Sequence, residues 1–131
     1  MLRLLSRLTL ASLTFIAFAA QAEVVKLGEL VSSNVANLSK LSVGMSKADV
    51  IKTMGSNNAD TKDGLAPNPW TTETFTGKDG GKYEVLFYIT RKNPPFTPIG
   101  KFLTTPVVFK NGKVTGWGND ALELVKPSAP K

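Results

Sequence analysis

The sequence predicts an α+β fold, with two N-terminal helices packed on one face of an antiparallel sheet of about four strands. Three observations point there. Apolar residues recur in three- and four-residue steps from Leu27 to Leu41, and Val43–Gly55 carries the start, face and stop signals of a second, shorter helix. Beyond Trp70 the chain turns to short runs of Thr, aromatic and β-branched residues separated by Gly-, Asn- and Pro-rich turns. The 131 residues suit one domain. The predicted organisation is a signal peptide at 1–22, a single domain at 23–126 and a disordered tail at 127–131.

Residues 1–22 carry the pattern of an export address. Arg3 and Arg7 make a short positive region, Leu8 to Ala20 is apolar and free of charge, and Ala20-Gln21-Ala22 presents small residues two apart. That is the pattern a signal peptidase accepts, with cleavage before Glu23. The apolar run is about 20 Å long as a helix, short of the ~30 Å core of a bilayer. Cleavage removes two positive charges and no acid, so the exported chain remains net basic. The expected location is the periplasm, soluble or peripheral.

In the first helix Leu27, Leu30, Val31, Val35, Leu38 and Leu41 form the apolar stripe, while Ser32, Ser33, Asn37 and Lys40 face out. Ser and Asn are poor helix formers, so tertiary packing must hold it. Gly44 then breaks the chain. Ser46 is an N-cap with Asp49 three residues later, and Met45 and Val50 stand at the spacing of a hydrophobic staple. Val50, Ile51 and Met54 give the buried face, and Gly55 the left-handed stop.

Ser56 to Pro69 reads as a loop, rich in Asn, Asp, Gly and Pro. Trp70–Gly77 reads as a strand, Lys78-Asp79-Gly80-Gly81 as a turn and Tyr83–Thr90 as the strongest strand. Tyr83, Val85, Phe87 and Ile89 line one face of it, yet Leu86 and Tyr88 put apolar bulk on the other. It is therefore a central strand, or one whose outer face is covered. Asn93–Gly100, with three prolines, cannot join a ladder and is a surface loop. Thr104–Phe109 and Val114–Gly118 flank Asn111-Gly112, the strongest short-range signal of a tight hairpin.

The chain has no Cys and no His. It can form no disulfide, zinc knuckle, thiolate nucleophile or lipid-modified cysteine, and it lacks the commonest general base. These absences argue against most enzymes and against a lipid anchor. No cofactor or metal is expected.

The stretch Leu41-Ser42-Val43-Gly44-Met45-Ser46-Lys47-Ala48-Asp49-Val50, closing at Met54-Gly55, resembles the signature of the small outer-membrane protein A (OmlA-like) group. That group includes the E component of the β-barrel assembly machinery. Thr105 to Gly118, with Pro106-Val107-Val108-Phe109-Lys110-Asn111-Gly112 and Gly116-Trp117-Gly118, is similar to the ending of an uncharacterised bacterial envelope family of the same layout. The resemblance implies a two-helix, antiparallel-sheet envelope protein that binds proteins or lipids. It transfers no functional residue, because the matching positions are structural, and the assembly-machinery members carry a lipid-modified cysteine that this chain lacks.

Phe87, Tyr88, Trp70 and Trp117 suit a partner-binding patch or a sheet core. Core is the favoured reading, and Trp70, Tyr88 and Trp117 are the candidate partner contacts. Arg91, Lys92, Lys101, Lys110 and Lys113 suit a solvated rim that protects sheet edges, or contact with anionic headgroups. Gly77, Gly80 and Gly81 join strands and make no phosphate loop. Asn57, Asn58, Asp60 and Asp63 fit Asx-rich turns better than calcium, since the EF-hand spacing is missing. Ser46 beside Lys47 is read as a cap, not a catalytic dyad. The expected function is a non-enzymatic binding or assembly accessory of the envelope, its partner an envelope protein or anionic lipid, with nucleic acid set aside because export separates the two. The alternative is a secreted inhibitor-like or ligand-binding module using the sheet face.

Overall fold

Leu27 to Leu38 close a helix, α1, directly after a three-residue strand, β1 (Val24–Lys26). The computed structural model of the chain describes residues 22–127, so the expected signal peptide, but for Ala22, and residues 128–131 of the expected tail lie outside the described residues. After α1 come α2 (Lys47–Met54), β2 (Asn58–Thr61), β3 (Gly64–Ala66), β4 (Thr71–Thr76) and β5 (Lys82–Ile89). A 3₁₀ turn at Lys101–Leu103 leads into β6 (Thr104–Lys110), β7 (Lys113–Trp117) and a final helix, α3 (Asn119–Val125).

The class is mixed α+β, and the arrangement corrects the expectation in two ways. The helices are not all N-terminal, because α3 follows the last strand. The described residues also form two sheets: the four-stranded meander β4-β5-β6-β7, and a small sheet β1-β2-β3 in which β1 runs parallel to β2. The segment expected to be a loop therefore supplies two strands. Its Asp63-Gly64 step closes a tight turn, with Gly64 at φ 106°, the Thr61 hydroxyl donating to the Gly64 carbonyl (2.7 Å) and the Asp63 amide donating to that hydroxyl (3.1 Å).

β5 shows why both faces of the meander are apolar. Leu86 and Tyr88 point to the side of α1 and α2, where they meet Leu41, Val50, Met54, Val107, Phe109 and Val114. Tyr83, Val85 and Phe87 point the opposite way, into a cluster closed by Val108 and by Leu122 of α3. A third cluster of Leu30, Ala59, Ala66 and Ile89, with Trp70 and Ile99 packed against it, joins the small sheet to α1 and to the end of β5.

α2 forms as its signals require. The Asp49 amide donates to the Ser46 hydroxyl (3.1 Å), Met45 and Val50 share one cluster, and Gly55 stops the helix at φ 82°. In α1 the stripe is rotated from the one expected. Val35 is 53% exposed, whereas Asn34 is wholly buried. Its side-chain amide donates to the Asn68 side chain (2.9 Å) and to the Ile89 carbonyl (2.8 Å), and Asn68 donates back to Asn34 (3.1 Å) and to the Met54 carbonyl (3.3 Å). This reciprocal pair fastens α1, the end of α2 and β5 together. Across the molecule Asn111 and Gly112 take the positive φ values, 54° and 77°, that a two-residue hairpin needs. A register shift at Val108/Phe109 then leaves Val114 and Trp117 on the same side.

The outer edge of β7 is occupied. The Gly44 amide donates to the Val114 carbonyl (2.8 Å) and the Val114 amide to the Met45 carbonyl (2.9 Å). β4, at the other end of the meander, is paired on one side alone.

Candidate functional site

The chain leaves β5 at Ile89, and the Thr90 and Arg91 amides both donate to the Leu103 carbonyl (2.9 and 3.1 Å). Between those anchors the chain runs out as a loop before Ile99 packs back on the third cluster and the 3₁₀ turn at Lys101–Leu103 begins. Pro94, Pro95 and Pro98 cannot join a ladder, and the Thr97 amide donates to the Pro94 carbonyl (3.1 Å) to close a four-residue turn. Pro95 occupies its second position, where a fixed φ suits it, and Phe96 its third, at φ 61°. Glycine or asparagine usually fills such a position, because a left-handed backbone costs an ordinary residue on the order of 1 kcal/mol or more. The Asn93 side chain donates to the Thr97 carbonyl and the Thr97 hydroxyl to the Pro95 carbonyl (3.3 Å), so the turn is braced from within. The Phe96 ring gains nothing from this strain inside the fold, being fully exposed at 101%.

Beside the turn lies a cleft of about 570 Å³, walled by the loop itself, by Leu27 and by Asp60, Thr61, Lys62 and Asp63 of the β2–β3 hairpin. The loop wall, Asn93 to Pro98, carries no charge. Arg91 and Lys92 stand at the base of the loop outside that lining, Lys92 beside Gly28 at the start of α1, and no acid occurs from Val85 to Asn119. The hairpin wall carries two carboxylates and one ammonium. Leu65, exposed and paired with Asp60 across the hairpin, adds apolar surface there.

A second hollow, about 430 Å³, opens where α2 ends its cover of the meander. Thr74, Thr76, Lys82, Glu84, Phe109 and Asn111 line it, and Lys47 of α2 reaches Glu84 at 2.8 Å. Phe75 and Tyr83 also line it, and the lining is more apolar than polar. Ionisation is shifted at the adjoining β4–β5 turn. There Asp79 accepts from Lys110 (2.7 Å), the Tyr83 hydroxyl (2.9 Å) and the Gly81 amide (2.9 Å), and these donors, the Lys110 ammonium foremost, hold its carboxyl well below the ordinary 3.8. Phe75 stacks on Tyr83 at 5.5 Å. The cluster locks a turn.

The expected partner residues are dispersed. Tyr88 is wholly buried under α1 and α2, its hydroxyl bonded to no protein group among the described residues, and burial pushes that hydroxyl's pKa up. It presents no surface to a partner. Trp70 is half-buried against the small sheet, and Trp117 half-buried against the helix-side cluster. The basic residues are also separate: Lys101 pairs with Glu73, Lys110 with Asp79, and the Arg91 guanidinium donates to the Phe102 carbonyl. Ser46 is the cap of α2. Among the described residues no three His, Cys, Asp or Glu side chains gather as metal ligands.

Sequence reasoning passed over Phe96. The signal was present in an aromatic side chain flanked on both sides by prolines in a segment already known to be a surface loop, where no core can receive it.

The fold thus defines a mixed α+β protein of two sheets and three helices among the described residues, whose most conspicuous surface feature is a braced aromatic turn beside a cleft. Residues 25–124 match the family described as "Protein of unknown function (DUF3192)", and the chain belongs to that family. No curated protein and no solved structure matches it.

Proposed function

We propose that this is an exported, non-catalytic protein of the cell envelope that acts as a binding or assembly accessory, and that it binds through the Phe96 turn and its adjoining cleft. The resemblance of Leu41–Gly55 to the OmlA-like signature and the predicted signal peptide support the envelope setting. No helix among the described residues is long and apolar enough to cross a membrane. One observation carries the reading: Phe96 is strained, braced and entirely solvent-exposed. Backbone strain persists where surroundings over-determine it and recurs at ligand contacts, and large aromatic side chains anchor protein interfaces.

Fractionation with intact-mass measurement tests the envelope setting. A periplasmic species beginning at Glu23 is expected, and an unprocessed chain retained in the cytoplasm would contradict it. Envelope extracts passed over the immobilised chain test the surface. Phe96→Ala is expected to lose most of the retained material while keeping the native circular dichroism. Equal retention by both chains would contradict the assignment. The sheet-face alternative retains only the hollow beside β4, because Tyr88 is buried and the two tryptophans pack elsewhere.

A further inference from the structure

The surface around Phe96 is complementary to itself. Its projecting part is an aromatic side chain on a turn whose base bears Arg91 and Lys92. Its recessed part is the cleft of about 570 Å³, whose far wall bears Asp60 and Asp63 with Lys62 between them. Three prolines, a left-handed backbone and the Asn93 brace fix the turn that carries Phe96, so its Cα–Cβ bond leaves a preformed backbone. A fluid lipid surface gains little from a fixed direction, whereas a preformed hollow gains the ordering cost that the turn has already met.

Resting on the binding reading above, we infer that the partner seated on this surface is a second copy of the chain. The copies are related by a two-fold axis, so that each Phe96 enters the other's cleft and each Arg91–Lys92 pair faces the other's Asp60 and Asp63. A two-fold contact uses the same patch on both sides, so the patch must contain both knob and hollow and both signs of charge. This one does. Exposed Leu65 beside Asp60 extends the apolar area that such a contact would cover.

Sedimentation equilibrium of the full chain from micromolar to near-millimolar concentration provides the test. The expected result is a mass rising towards two chains, with weaker association at high ionic strength, as exposed charge pairs require. Phe96→Ala should raise the dissociation constant at least about tenfold, as for an aromatic anchor. The double variants Asp60→Lys/Asp63→Lys and Arg91→Glu/Lys92→Glu should each stay single alone and associate when mixed in equal amounts. All these positions are exposed, so folding is not at stake.

A chain that remains single at every concentration overturns the inference, as does a dimer indifferent to Phe96→Ala. So does a single chain that binds phosphatidylglycerol vesicles in a Phe96-dependent way. The binding reading fails separately. A chain that never self-associates but still loses retained envelope material on Phe96→Ala removes the second copy alone, whereas no effect of Phe96→Ala in either experiment removes both.

Discussion

At the scale of single residues, buried polarity governs what the sequence hid. Asn34 sits where a hydrophobic stripe is expected, one position from Val35, and its partner Asn68 lies far along the chain. Polarity alone sends an asparagine to the surface. A reciprocal amide pair reverses that, because each group satisfies the other and the Ile89 and Met54 carbonyls besides. Asn34→Val should therefore cost about 2–3 kcal/mol in urea unfolding, through the groups left unpaired; a loss under about 0.5 kcal/mol would contradict this role. Tyr88 is the converse. Its buried hydroxyl has no protein partner among the described residues, so Tyr88→Phe should leave stability unchanged or raise it by about 1 kcal/mol. A clear loss would mean the hydroxyl is satisfied in solution. Asp79 gives a pH signature. Its folded pKa lies below the unfolded one, so its pairing stabilises fully above about pH 4 and is lost progressively as pH falls from there. Asp79→Asn should flatten the stability profile in that acid range and lower stability at neutral pH; an unchanged profile would show that the turn is not held by this charge.

At the scale of elements, legibility follows the density of local signals. α2 carried a cap, a staple and a glycine stop within ten residues, and all three perform those roles. Ser46→Ala should cost about 1 kcal/mol, measured by thermal unfolding. The Asn111-Gly112 hairpin was equally plain. α3 was not, because seven residues following Gly116-Trp117-Gly118 are too few to form a helix unaided. It exists because Leu122 fills the gap over Val85, Phe87 and Val108, and because Gly77 leaves room for the Val125 carbonyl, where an added Cβ would also meet the Tyr83 ring at 2.4 Å. The bulk on both faces of β5 implied such a cover without saying which segment supplied it. β1 to β3 were missed for a related reason. Strands of three or four residues show no alternation long enough to read, and the parallel pair depends on a partner more than thirty residues away.

At the scale of the whole molecule, α1 and α2 cover one face of the meander and α3 the other, with the small sheet fixed to α1. The free strand edge at β4 and the Phe96 turn remain outermost. Aromatic residues anchor interfaces, but Tyr88 is enclosed in the meander's helix-side core, and Trp117 and Trp70 are half-buried, one against that core and one against the small-sheet cluster. Phe96, in a loop no core can reach, keeps its ring in solvent. The claim that this turn is the binding surface is tested most directly by a photo-crosslinking side chain placed at position 96 in living cells, with position 124 as control. Leu124 is also exposed, at 75%, but on helix α3, which takes no part in lining the cleft. The account predicts a discrete adduct from position 96 and none from 124, of twice the chain mass if the partner is a second copy. Adducts from both positions alike, or from 124 alone, would contradict it.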